Sequence, residues 1–125
     1  MRVCMHHQSP PAAAIRRNKA FCINVLRGDQ SWVSDVFAGR SDQDDKFSGL
    51  SCEAGKTGAP RLPATLAAFD CRLVNAERVG THYVMFAEVE DLAFTGKGAP
   101  LIYANRAYGT PVPMADDGQA RRKAA

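Results

Sequence analysis

An imidazole at position 82, led in by Gly80 and Thr81, opens the apolar run from Tyr83 to Phe94. A histidine placed there changes charge near neutral pH and both donates and accepts hydrogen bonds, so it can position a reactive ring or move a proton. Along an extended chain alternate residues share a face. His82, Val84, Phe86 and Glu88 make one face, apolar in the middle and polar at both ends, and Tyr83, Met85, Ala87 and Val89 make the other. A strand that is apolar on both faces is covered on both. One cover is the protein's own core and the other a subunit or a ligand, which leaves His82 at the rim of the covered surface. The plain alternative is a strand-edge histidine that only ties down a turn.

Other stretches imitate reactive motifs and fail on spacing. Ala54-Gly55-Lys56-Thr57 ends like a phosphate-binding loop, but the glycine required five residues before Gly55 is Leu50, and Gly58 and Pro60 stand where a helix must follow. Asp42, Asp44 and Glu53 fall at the first, third and twelfth places of a calcium loop, with Phe47 where the sharp turn needs glycine. His6 and His7 lack a third metal ligand, and neighbours on an extended chain point to opposite sides. No Gly-x-Ser-x-Gly elbow is present. Cys4, Cys22, Cys52 and Cys71 are far apart and mostly sit in apolar stretches, which reads as buried free thiols rather than a disulfide or metal site.

The elements that must hold His82 are legible from period and punctuation. Phe69, Cys71 and Leu73 alternate with Asp70, Arg72 and Val74, and a turn at Val79-Gly80-Thr81 separates this run from the next, which predicts an antiparallel hairpin. Met1 to Met5 reads as the end of a strand. Ser9 as N-cap, Pro10 and Pro11 in the first turn and cations at the far end predict a helix over Pro10 to Asn18. Ala20 to Leu26 reads as a strand covered on both faces. Trp32, Val33, Val36 and Phe37 have helical spacing, with Asp29 to cap and Gly39 to stop. Ser41 and Asp44 resemble a capping box opening another short helix. Gly49 to Pro63 predicts an irregular loop, and Leu101 to Tyr103 a short final strand.

The chain has 125 residues, enough for one domain, with 46% hydrophobic and 23% charged residues and a formal charge of +3. Three of the cations, Arg121, Arg122 and Lys123, lie in an expected disordered tail over 113–125, so the domain expected over 1–112 is near neutral and lacks the basic stripe of a nucleic-acid binder. No apolar run is long enough to cross a bilayer and the first residues lack a cleavable signal pattern, so a cytoplasmic location, with no membrane partner, is expected.

The ordered set Asn24 and Leu26, Phe37 to Gly39, Gly58 and Pro60, Phe69 and Cys71, Gly80 to His82, and Pro100 with Leu101 and Tyr108 resembles the flavin reductase domain family, over about residues 2–110. That family comprises small NAD(P)H:flavin oxidoreductases that supply reduced flavin to two-component monooxygenases. The resemblance implies a mainly β fold with short helices, the FMN-binding split β-barrel, here with its first strands missing. It implies a homodimer with FMN or FAD in a groove near the subunit boundary, NAD(P)H as co-substrate and an oxygenase component as possible partner. By the same analogy His82 sits near the flavin ring and the nicotinamide, and Arg106 and Tyr108 line the same groove. Gln8 and Ser9 meet the flavin tail, where a helix start at Pro10 favours phosphate, and Asn24 is a further cofactor-binding candidate. A non-catalytic flavin-binding or dimerisation module is the competing expectation.

Overall fold

The computed structural model describes residues 1–40 and 45–115. The expected capping box at Ser41 and Asp44, and the tail from residue 116 onward, lie outside the described residues. In chain order the elements are β1 (Arg2–His6), α1 (Pro10–Asn18), β2 (Ala20–Val25), α2 (Ser31–Phe37), β3 (Glu53–Ala54), β4 (Pro60–Arg61), β5 (Ala67–Val79), β6 (His82–Phe94), β7 (Ile102–Ala104) and β8 (Ala107–Gly109). A four-stranded antiparallel sheet runs β1-β6-β5-β2, with β3-β4 and β7-β8 as separate two-stranded hairpins. The mainly β expectation with short helices holds.

The long β5–β6 hairpin organises the rest. Its pairing is interrupted twice: Cys71 faces Val89 while Asp70 faces Asp91, leaving Glu90 over, and Leu73 faces Ala87 while Asn75 faces Phe86, leaving Val74 over. Each extra residue is a β-bulge, and a bulge resets the two-residue alternation. After Val74 the core-facing place therefore falls to Ala76 instead of Asn75, and Ala76 packs against the core while Asn75 stays exposed. Strict alternation read from the sequence puts Asn75 inside; the bulge removes that conflict.

One face of the sheet carries the main core. Phe21, Cys71, Leu73, Met85 and Ala87 pack against Ala12 and Ile15 of α1, with Val3, Met5, Ile23, Phe69, Ala76 and Tyr83 around them. The helix forms where capping and charge predict, with prolines at its start, Arg16 and Arg17 in its last turn and a left-handed Lys19 at its end. Ser9 occupies the cap position, but its hydroxyl donates to the carbonyl of His6 at 2.8 Å and makes no cap bond to the helix.

Four expectations need correction. The strand over Ala20–Val25 is an edge strand with only Phe21 buried, because nothing pairs with its outer side within the sheet. Asp29 does not cap α2; it pairs with Arg27, while Gln30 closes the turn by donating its amide to the Arg27 carbonyl and accepting the Arg27 amide at its side chain, both at 2.9 Å. Within α2 Val33 and Val36 are buried and Trp32 is exposed. The stretch from Gly49 to Pro63 is not wholly irregular, since Glu53–Ala54 and Pro60–Arg61 pair around the Gly55–Gly58 turn. A final strand missed in the sequence, β8, returns on β7 through Asn105 and Arg106, both with left-handed φ, the backbone that a tight hairpin turn demands. Asn105 was the available signal.

Of the four cysteines Cys71 is buried, Cys22 and Cys52 are half-buried and Cys4 is exposed, all as free thiols. Burial pushes the thiols of Cys22, Cys52 and Cys71 up from the usual range, which keeps them protonated and inert.

Met85 is the largest side chain with no exposure at all, at the centre of the α1-facing core. Met85→Ala is expected to destabilise the fold by about 2–5 kcal/mol, read as a lower denaturant midpoint with an unchanged slope, whereas Val112→Ala, at an exposed position, leaves the midpoint in place.

Candidate functional site

The sheet register brings His82 a close companion. In the β1–β6 pair His6 lies directly opposite His82, and both stand on the face away from α1, because Met5 and Tyr83 take the core side. The two imidazoles meet edge to face, with centroids 5.3 Å apart, and His6 stacks on His7 at 4.9 Å. The expectation that His6 and His7 diverge fails because the extended strand stops at His6 and the chain turns at once, with the His7 amide donating to the Thr81 carbonyl at 2.9 Å.

Short bonds fix this end of the ribbon. Gly80 has φ of 58° in the turn between β5 and β6, a conformation that suits a residue without Cβ. The Thr81 hydroxyl lies 2.8 Å from Nδ1 of His82. Gln8 donates its amide to Nδ1 of His6 at 3.1 Å, which puts the proton of a neutral His6 on Nε2. Arg78 donates Nε to the Gly80 carbonyl at 2.6 Å, and its guanidinium lies 5.8 Å from the centre of the Tyr83 ring. Arg16, reaching from α1, lies 4.3 Å from the centre of the same ring. The His7 imidazole is held below the ordinary histidine pKa, first by its partial burial, then by the charge of Arg78 and the neighbouring imidazoles of His6 and His82.

Gln8 and Ser9 thus join His82 at one end of the molecule, through His6. Asn24 does not. Its carboxamide oxygen accepts the Leu62 amide at 3.0 Å and its nitrogen donates to the Cys22 carbonyl at 3.4 Å, tying β2 to the chain after β4. Arg106 and Tyr108 lie on the β7–β8 hairpin, a third location. The Tyr108 hydroxyl donates to Asp35 at 2.7 Å, lies 3.1 Å from the Ser34 hydroxyl and accepts from Arg40 at 3.2 Å, so within one chain it is held by α2 and its C-terminal end. Arg106 is exposed at the hairpin turn. Sequence reasoning missed Arg78 and the role of His6 and His7 beside His82, because cross-strand register, which places them, is not visible until the hairpin is paired.

Two open depressions border the sheet. One, of about 550 Å³, is lined by Met1, Arg2, Val74, Phe86, Ala87 and Glu88, further along the β1–β6 pair from His82. The other, of about 450 Å³, lies between Arg27 to Asp29, Lys97 to Ala99 and Thr110. Among the described residues no cluster of histidine, cysteine and carboxylate side chains is arranged to hold a metal ion.

Residues 1–111 match the flavin reductase like domain. The chain belongs to that family. An FMN reductase (NADH) RutF of Ancylobacter novellus is 39% identical over 113 residues, covering 87% of this chain and 62% of the relative. An FMN reductase (NADH) RutF of Methylorubrum extorquens is 41% identical over 106 residues, covering 85% of this chain and 62% of the relative. The chain therefore spans about six tenths of the length of the curated relatives it matches. Among solved structures, a homolog of nitrilotriacetate monooxygenase component B from Mycobacterium thermoresistibile superposes with a TM-score of 0.80 at 29% identity, over 93% of this chain and 69% of that one. The flavin reductase PheA2 gives 0.81 at 25% identity, over 90% and 70%. These neighbours have the split-barrel fold, as the family resemblance implies.

The electrostatic coupling around His7 is open to measurement. Arg78→Gln is expected to raise the His7 titration midpoint, followed by NMR of the ring protons, since one of the charges opposing protonation is gone. Because the unfolded chain takes up this proton at the ordinary value, the His7 contribution to stability is complete above that value. It is lost as pH falls through the interval down to the lowered one.

Proposed function

We propose that this chain forms part of a flavin reductase in which NADH reduces FMN, with His82 beside the reacting rings. The observation that carries this reading is the convergence of His82, His6, Gln8 and Ser9 at one end of a sheet whose chain matches the flavin reductase like domain over residues 1–111. The chemistry a bound flavin supplies is acceptance of a hydride from a reduced nicotinamide. The relatives' names, FMN reductase (NADH), support FMN and NADH over FAD and NADPH.

The residues present fit such a group in a specific way. Gln8 offers an exposed carboxamide able to donate and accept, and His82 keeps its Nε2 edge available, since Nδ1 is engaged with Thr81. The Ser9 hydroxyl has already given its proton to the His6 carbonyl, so towards a flavin tail it serves as an acceptor or must first turn. Asn24 and Tyr108 contribute by holding walls, through Leu62 and α2 respectively, and Arg106 offers an exposed cation. His82 itself orients and donates a hydrogen bond.

A homodimer belongs to the same reading. On one face the β5–β6 ribbon exposes Val89, Leu92 and Phe94, the last with 70% of its surface accessible, and a second copy would cover such a face. It is also the arrangement that would let Arg106 and Tyr108, apart from His82 within one chain, approach it from a neighbour. An oxygenase component as recipient of the reduced flavin is supported by the monooxygenase component among the structural relatives. No helix among the described residues is long and apolar enough to cross a membrane, and the free thiols fit the cytoplasm.

The test is steady-state oxidation of NADH in the presence of FMN, with the purified chain's mass measured by light scattering. Turnover above background from a dimer is expected, with His82→Ala lowering kcat by about 10²-fold, within the range that a positioned acid or base provides. Absence of NADH oxidation with FMN and with FAD would remove the enzymatic reading for this chain.

A further inference from the structure

The end of the ribbon that carries His82 has an unbalanced charge. Arg16 and Arg78 converge on one aromatic ring, at 4.3 Å and 5.8 Å from its centre, and neither takes part in an ion pair among the described residues. Elsewhere Arg27, Arg40, Arg61 and Arg72 each pair with a carboxylate. Two guanidinium groups brought onto one ring without an acid raise the local potential, and the cation–ring attraction offsets only part of their repulsion. His7 stands within the field of Arg78, which disfavours its protonation, so it adds a hydrogen-bonding imidazole there and not a third charge. Tyr83 is on the α1 side of the sheet, so this patch lies round the end of the ribbon from His82 and not on top of it.

The backbone nearby is spent. The amides of His7, Gln8, Ser9 and Ala12 donate to the Thr81 carbonyl, Nδ1 of His6, the His6 carbonyl and the Ser9 carbonyl. Pro10 and Pro11 have no amide hydrogen to give. The start of α1 therefore cannot cradle an anion as a helix N-terminus ordinarily does, and the expectation that Pro10 favours phosphate through the helix start is corrected. Any anion held at this end has to be recognised by side chains. Arg78 is the suited one: its Nε bond to the Gly80 carbonyl fixes the guanidinium at the turn, and among the described residues neither terminal nitrogen is hydrogen-bonded.

We propose that Arg78, supported by Arg16 and His7, is a phosphate-binding subsite for a nucleotide whose ring system lies at His82. This rests on the reading of His82 given above. A nucleotide's phosphate is separated from its ring by a sugar or sugar-alcohol chain, which suits a subsite round the corner from the histidine. The phosphate is either that of FMN or the pyrophosphate of NADH, which share this chemistry.

The experiment compares equilibrium binding to the full chain of two matched pairs. FMN is set against riboflavin by flavin fluorescence, and NADH against 1-benzyl-1,4-dihydronicotinamide by nicotinamide fluorescence. Arg78→Gln is expected to weaken the phosphate-bearing member of one pair by about tenfold or more, the scale of a lost charge-assisted hydrogen bond, while leaving its phosphate-free counterpart unchanged. The pair that responds names the source. Should Arg78→Gln fail to fold, Arg16→Gln is expected to weaken the same ligand to a lesser degree. Added KCl in the unaltered chain is expected to weaken only phosphate-bearing ligands. Equal weakening of both members of each pair, or no change in any, overturns the subsite. Phosphate-selective binding without NADH oxidation would leave the subsite standing and defeat the reductase reading alone.

Discussion

The pairing of β5 with β6 is the constraint on which everything else hangs. The two strands run antiparallel over 13 residues each, and they alone connect β1 on one side to β2 on the other. Antiparallel partners share a face, so the register that sets Leu73 opposite Ala87 also sets Val79 opposite His82. A slip by one residue would send Met85 to solvent and His82 to the helix side. The core and the candidate site are thus fixed by one choice of register, and Val74 and Glu90 are the two places where that register is relaxed.

The bulges explain which parts of the sequence were legible. Alternation from Phe69 to Leu73 and from Tyr83 to Ala87 was plain, as were the Gly80 turn and the limits of α1, because each depends on neighbours in the chain. The fate of Asn75 and Ala76 was not, since an unpaired residue at Val74 is a property of two strands together. The same holds for the site. His82 could be singled out by its place at a strand mouth, whereas His6, His7 and Arg78 gain meaning only across β1, β6 and β5. Asn24 and Tyr108 matched a family pattern, and what the pattern could not show is that within one chain their polar atoms bond to the protein itself.

A charge distinction runs through the molecule. Along β5 and β6, Arg72 is shared between Glu88 and Glu90 at 2.6 Å and 2.8 Å; such exposed pairs contribute little to stability, and one cation between two carboxylates leaves the stem with a net negative charge. At the turn, two residues of the same type meet an aromatic ring and no acid. Contrast between an acidic stem and an uncompensated basic tip is what a protein needs in order to draw an anion to one end of a ribbon and not along it.

The phosphate-loop imitation at Gly55 to Thr57 has a resident anion of its own. Thr57 turns both its amide and its hydroxyl to the buried carboxylate of Asp70, and a Cβ on Gly55 would come within 2.7 Å of that carboxylate. The hairpin is thereby fastened to the sheet face opposite α1 by a group from the sheet itself, and outside phosphate has no vacancy to compete for. In descent, positions 55 and 70 should therefore behave as a single inherited unit: a lineage that enlarges the first is obliged to shrink or surrender the second.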